Sequence, residues 1–183
     1  MVKKSIVVLT GSPRAGGNSD QMADALIRGA EQAGHLVTKI STAQLHVEGC
    51  VACMGCYSSG DRPCCHDDDF NRIAPLIEGA DVVVFAAPLY WSTFPAAIKR
   101  VIDNFYCFYH GGRAVAGKRA VLLSCGEDTA YNMFDGIQRA YELILPVLGW
   151  SNAGMILAPG VNKPGDVQKT DALKRCEALG KML

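Results

Sequence analysis

The chain has 183 residues, 49% apolar and 20% charged, with 18 Lys plus Arg balanced by 18 Asp plus Glu. That profile belongs to one soluble domain able to bury a core, and it lacks the basic surplus that nucleic-acid phosphates demand. No run reaches the roughly 18 apolar residues of a membrane span, and "MVKKSIVVLT" is not followed by a small-residue cleavage site. The expectation is a cytoplasmic protein without nucleic-acid or membrane partners. Thiols stay reduced in that compartment, so the eight cysteines favour metal or redox chemistry over a disulfide framework.

Taken in chain order, "SIVVLT" (Ser5–Thr10) is a nearly continuous apolar run, as expected of a strand covered on both faces. Met22, Leu26, Ile27, Ala30 and Ala33 then recur at helical spacing. A more polar strand "LVTKIS" follows from Leu36, then buried strands "DVVVFAAP" from Asp81, "RAVLLSC" from Arg119 and "AGMILAP" from Ala153. Helical patterns occupy residues 69–78, 95–105, 131–145 and 169–182. Five β-α units in series, without repeats or linkers, predict a single α/β domain over residues 1–183. Its expected form is a flavodoxin-like doubly wound parallel sheet of order 2-1-3-4-5, with helices on both faces and a cysteine-rich insertion loop at about 46–66.

Such a sheet binds ligands beyond the carboxyl ends of its strands, where the strand order reverses. The loop after the first strand, "TGSPRAGGNSD", has neither dinucleotide-fingerprint nor P-loop glycine spacing, which argues against ATP and a tightly held NAD. Ser12, Asn18 and Ser19 donors, the Arg14 cation and free amides at a helix start suit a terminal phosphate. The same groups suit plain helix capping, with the glycines serving a turn. After the third strand, Pro88 ends the ladder and Leu89, Tyr90 and Trp91 bring two large aromatics to the crevice mouth. Packing beneath the loop or at a subunit contact is the ordinary fate of such rings.

Together, "GSPRAGGNS", the cysteine loop with "DDDF", and "PLYWSTFPAAIKRVIDN" resemble the NADPH-dependent FMN reductases and related iron-sulfur flavoproteins of flavodoxin-like fold. The resemblance implies that Ser12, Arg14, Gly17, Asn18 and Ser19 hold the FMN phosphate, and that Pro88, Leu89, Tyr90 and Trp91 lie along the isoalloxazine edge. It places Cys125, Gly126 and Glu127 at the other side of the ring, although Cys125 also reads as a small buried residue at a strand end. NADPH or NADH would reduce the flavin, and electrons would leave to a free flavin, a quinone, an azo compound or a protein such as ferredoxin. The flavin carries the chemistry, so no catalytic side chain is named. A homodimer or homotetramer is also implied.

Cys50, Cys53, Cys56 and Cys64 follow a C-x2-C-x2-C-x7-C spacing that suits a [4Fe-4S] cluster, with Cys65 competing as fourth ligand. A zinc site on the same thiolates, giving a non-catalytic zinc-stabilised flavin-binding module, and an unmetallated loop are the alternatives. The acidic "HDDDF" reads as helix-terminus complementation, and the aromatics of "NFYCFYHGGR" as core or interface packing, with a lid as the sharper alternative.

Overall fold

The computed structural model describes residues 2–183. Strands β1 (Ser5–Thr10), β2 (Leu36–Ser41), β3 (Val82–Pro88), β4 (Arg119–Cys125) and β5 (Ser151–Ala158) form one parallel sheet in the order β2-β1-β3-β4-β5. Helices α1 (Asn18–Gln32), α2 (Phe70–Glu78), α3 (Ala96–Asp103), α4 (Tyr106–His110), α5 (Asp135–Leu148) and α6 (Ala172–Lys181) supply the crossovers and cover both faces. Among the described residues no helix is long and apolar enough to cross a membrane.

Side chains alternate across a strand, and the central strands bury both sets. Val7, Leu9, Val83, Phe85 and Leu122 meet α2 to α5, whereas Ile6, Val8, Val84, Val121 and Leu123 meet α1 and α6. Phe85 lies at the centre of the first layer, with Phe94, Phe105, Tyr141 and Trp150 at 6.1–6.4 Å between ring centroids. The second layer depends on glycine. A Cβ at Gly29 would sit 2.0 Å from Glu177 O, and one at Gly180 would sit 2.1 Å from Leu26 O, so α1 and α6 touch backbone to backbone.

Several boundaries differ from the sequence expectation. Residues 131–134 form a tight 3-10 turn, and α5 then runs through Pro146 to Leu148, closed by Gly149 in the left-handed region. Another 3-10 turn at Asp166–Lys169 delays α6 to Ala172. The "NFYCFYHGGR" segment contains a short helix, α4, with Phe105 and Phe108 buried and Tyr109 exposed. Between β2 and α2 the chain has no strand or α-helix, only short 3-10 turns, of which Gly55–Tyr57 lies among the cysteines.

Candidate functional site

Two cavities are built from different loops, one at the C-terminal ends of the strands and one among the cysteines on the side of the sheet covered by α2 to α5. The first, about 170 Å³, is enclosed by the loops after β1, β3, β4 and β5. β1 ends at Thr10, and Gly11 donates its N–H to Ala86 O (2.9 Å), which holds the departing loop against β3. A Cβ on Gly11 would lie 2.8 Å from Ile98 Cγ2, so a larger residue would lift the loop off α3. Ser12 Oγ then accepts the Arg14 N–H and donates to Arg14 O, both at 3.1 Å, curling the loop into α1. Gly17 caps that helix in extended conformation, where a Cβ would press on Arg14 O and Ser12 Oγ.

The amides of Asn18, Ser19 and Asp20 at the start of α1 have no carbonyl acceptor, as the first turn of a helix requires. Ser19 N–H turns toward Cys125 Sγ, whose thiol is pushed up to about 12 by burial. The Asn18 and Asp20 amides and the exposed Arg14 side chain stand at the positive end of a helix, an arrangement able to receive an anion. The Asn18 side chain has a different job. Its Nδ2 donates to Lys163 O (2.9 Å) and its Oδ1 accepts from Gly165 N (2.9 Å) and Val167 N (3.4 Å), so it ties the loop after β5 to α1.

The opposite wall is the turn after β3. Leu89 N–H bonds Cys125 O (2.8 Å), and Tyr90 and Thr93 exchange two backbone bonds of 3.0 Å. Between them Trp91 (φ 48°) and Ser92 (φ 60°) both occupy the left-handed region, which is costly for residues with a Cβ. The turn rests on α5 at Gly136, where a Cβ would meet Ser92 O at 2.4 Å. Tyr90 faces the cavity, whereas Trp91 is 99% exposed and outside it. All the residues inferred from sequence for the flavin, Trp91 excepted, therefore converge on this one cavity. Val161, Asn162 and Pro164 line it too and were missed; the Gly, Pro and Asn clustering of "APGVNKPG" after the last strand was the available signal.

The second cavity, about 350 Å³, is lined by Cys50, Cys53, Cys56, Cys64 and Cys65 together with His66 and Cys107. Its stem is pinned from two helices. Asp69 and Asp68 carboxylates accept the His46 and Glu48 amides (both 2.9 Å), while Asn104 Nδ2 donates to Glu48 O (2.6 Å). The acidic cluster thus does more than complement α2, although Asp68 Oδ1 does accept the Phe70 N–H at that helix start. Ala52 (φ 53°) and Met54 (φ 62°) are left-handed between the cysteines, and the Ala52 N–H points at Cys50 Sγ (3.4 Å). The Gly55 amide, then His66 and Cys65, hold the Cys53 thiol down at about 7. Burial raises Cys56, and the Cys53 contact raises Cys65. Cys107, deeper in the wall, is pushed up to about 12 by burial.

A parallel sheet of this order, with a helix start and an aromatic turn flanking the crevice at its switch point, defines the flavodoxin-like class. Residues 5–164 match the family described as NADPH-dependent FMN reductase, and the chain belongs to that family. It is 32% identical over 104 residues to an iron-sulfur flavoprotein of Archaeoglobus fulgidus, covering 57% of this chain and 46% of that protein. It is 29% identical over 121 residues to an iron-sulfur flavoprotein of Methanosarcina thermophila, covering 66% and 62%. The match thus spans about half to three-fifths of the length of these two relatives. An NAD(P)H:quinone oxidoreductase from Methanothermobacter marburgensis shares the fold, with a TM-score of 0.75 at 19% identity over 98% of this chain and 96% of that one.

Proposed function

We propose that this protein is an NAD(P)H-dependent oxidoreductase that holds FMN in the first cavity and passes electrons to small acceptors such as quinones or free flavin. The carrying observation is the convergence of an anion cradle and an aromatic turn on one crevice at the strand ends. The residues fit the group. Ser12, Arg14 and the α1 amides suit a doubly charged phosphate, and the Leu89 to Tyr90 backbone with Gly126 suits the edge of a planar ring. When bound, FMN supplies hydride acceptance from reduced nicotinamide and onward electron transfer.

The chain's own groups orient and shield. The strained Tyr90–Thr93 turn fixes one wall, and Cys125, with its thiol at about 12, stays protonated and inert beneath the cradle. Asn18 sets the position of the β5 loop that closes the cavity. The fully exposed Trp91 beside the crevice supports a homodimer or homotetramer, in which a second subunit would cover it.

The test is steady-state NADPH and NADH oxidation by the FMN-loaded chain with quinone and flavin acceptors. Turnover that falls with Arg14→Gln through weaker FMN retention is expected; absence of turnover with every acceptor contradicts the proposal.

A second reading has its own observation. Five cysteines line one cavity, and their backbone holds two left-handed residues that an unoccupied loop would have no reason to keep. This favours a [4Fe-4S] cluster on Cys50, Cys53, Cys56 and Cys64, making the protein an iron-sulfur flavoprotein that exchanges electrons with a carrier such as ferredoxin. About four irons and four sulfides per chain after anaerobic purification would support it, and their absence after cluster reconstitution would refute it.

A further inference from the structure

We propose that Cys53, Cys65 and His66 form a mononuclear site for a tetrahedral, thiophilic divalent cation of the zinc type, an alternative occupant of the loop to the four-cysteine cluster. Cys53 Sγ lies 3.6 Å from Cys65 Sγ and 3.3 Å from His66 Nε2, and all three donor atoms fall within 4.8 Å of one another. Zinc binds thiolate at about 2.3 Å and imidazole at about 2.0–2.1 Å, so tetrahedral angles require about 3.8 Å between two sulfurs and about 3.6 Å between sulfur and nitrogen. The two edges from Cys53 are close to those of one metal's coordination sphere, and the third lies within 4.8 Å. A cubane places each thiolate on a different iron, which demands wider separation than the Cys53 to Cys65 pair has.

The local chain is shaped for this approach. A Cβ at Gly55 would lie 2.3 Å from Cys65 Sγ and 2.9 Å from its Cβ, so glycine is what lets Cys65 reach Cys53. Asn71 clamps the ligand segment, accepting the Cys64 N–H (2.8 Å) and donating to His66 O (2.6 Å). The Cys64 side chain packs against the apolar core instead of joining the trio. Cys53 serves both sets, so zinc and cluster exclude each other. Two thiolates neutralise a divalent ion, binding releases their protons, and the three donors leave one coordination position open.

The test uses the full chain, reduced, stripped with a chelator and titrated anaerobically with Co²⁺ and then Zn²⁺. One Co²⁺ per chain, with tetrahedral ligand-field and thiolate charge-transfer bands that Zn²⁺ abolishes, is expected. Outer-shell losses alone weaken metal sites about 10–100-fold, so Cys65→Ser and His66→Ala should each weaken binding by at least about 100-fold. Cys64→Ser should leave it within about threefold of wild type, far less than even an outer-shell loss costs. Cys65 and His66 are exposed, and far-ultraviolet circular dichroism with FMN binding, which uses other residues, reports the fold of each variant. An absent tetrahedral spectrum, or a Cys64→Ser loss equal to that of Cys65→Ser with His66→Ala silent, overturns the site.

Discussion

Gly136→Ala separates helix stability from the geometry of the proposed flavin wall. In an ordinary helix the change favours folding by up to about 1 kcal/mol, because alanine has less backbone freedom to lose. Here the new methyl would stand 2.4 Å from Ser92 O, and ordinary contact begins near 3.4 Å, so the turn must retreat by 1.0 Å, the difference of those values. Few bonds hold that turn in place: two between Tyr90 and Thr93 and one from Leu89 N–H to Cys125 O, around two left-handed residues. Movement of this size takes Tyr90 and the Leu89 backbone out of register with a bound ring. FMN affinity should fall about 10–100-fold, or about 1.4–2.8 kcal/mol, while the urea midpoint stays near that of wild type. Quenching of flavin fluorescence measures the first quantity and circular dichroism the second. FMN affinity within twofold of wild type would refute the placement of the turn against the ring.

The close approach of α1 and α6 predicts that Gly29→Ala or Gly180→Ala destabilises by about 2–3 kcal/mol in urea unfolding, against the helix-propensity trend, because only backbone stands in the way. Asn18→Ala should cost about 1–2 kcal/mol and weaken FMN retention, since a carbonyl and two amides of the β5 loop lose their partner. In metal-free protein, iodoacetamide labelling read by mass spectrometry should find Cys53 alkylated with half-maximal rate near pH 7, faster as pH rises because the thiolate is the reactive form. Cys107, Cys125 and Cys176, all pushed up to about 12 by burial, should stay unlabelled across that range until the protein unfolds.

The sheet was legible because central parallel strands are buried on both sides, which turns β1, β3 and β4 into unbroken apolar runs. β5 begins two residues before its apolar pattern, because it opens with the polar Ser151 and Asn152. Asn152 accepts the Tyr141 hydroxyl beside a register shift, a tertiary role that local pattern does not encode. The loops after β1, β3 and β4 are legible as lining one crevice, the first two through strand-end position and family resemblance, and the third, whose own sequence carries no signature, through strand-end position. Asn18 shows the limit: an amide at a helix start serves an anion or a neighbouring loop equally well, and only the fold brings Lys163 and Gly165 within its reach. In sequence His66 belongs with the acidic helix start, and its approach to Cys53 emerges only with the left-handed residues Ala52 and Met54 and the bare Cα of Gly55.

The most direct measurement is an anaerobic titration of the FMN-loaded protein with NADPH, recorded by absorbance and followed by iron, sulfide and zinc assays on the same sample. Stoichiometric FMN that bleaches on NADPH addition and recovers with a quinone is predicted. A chain that fails to retain FMN, or whose flavin stays oxidised under excess NADPH and NADH, would contradict the assignment of the first cavity.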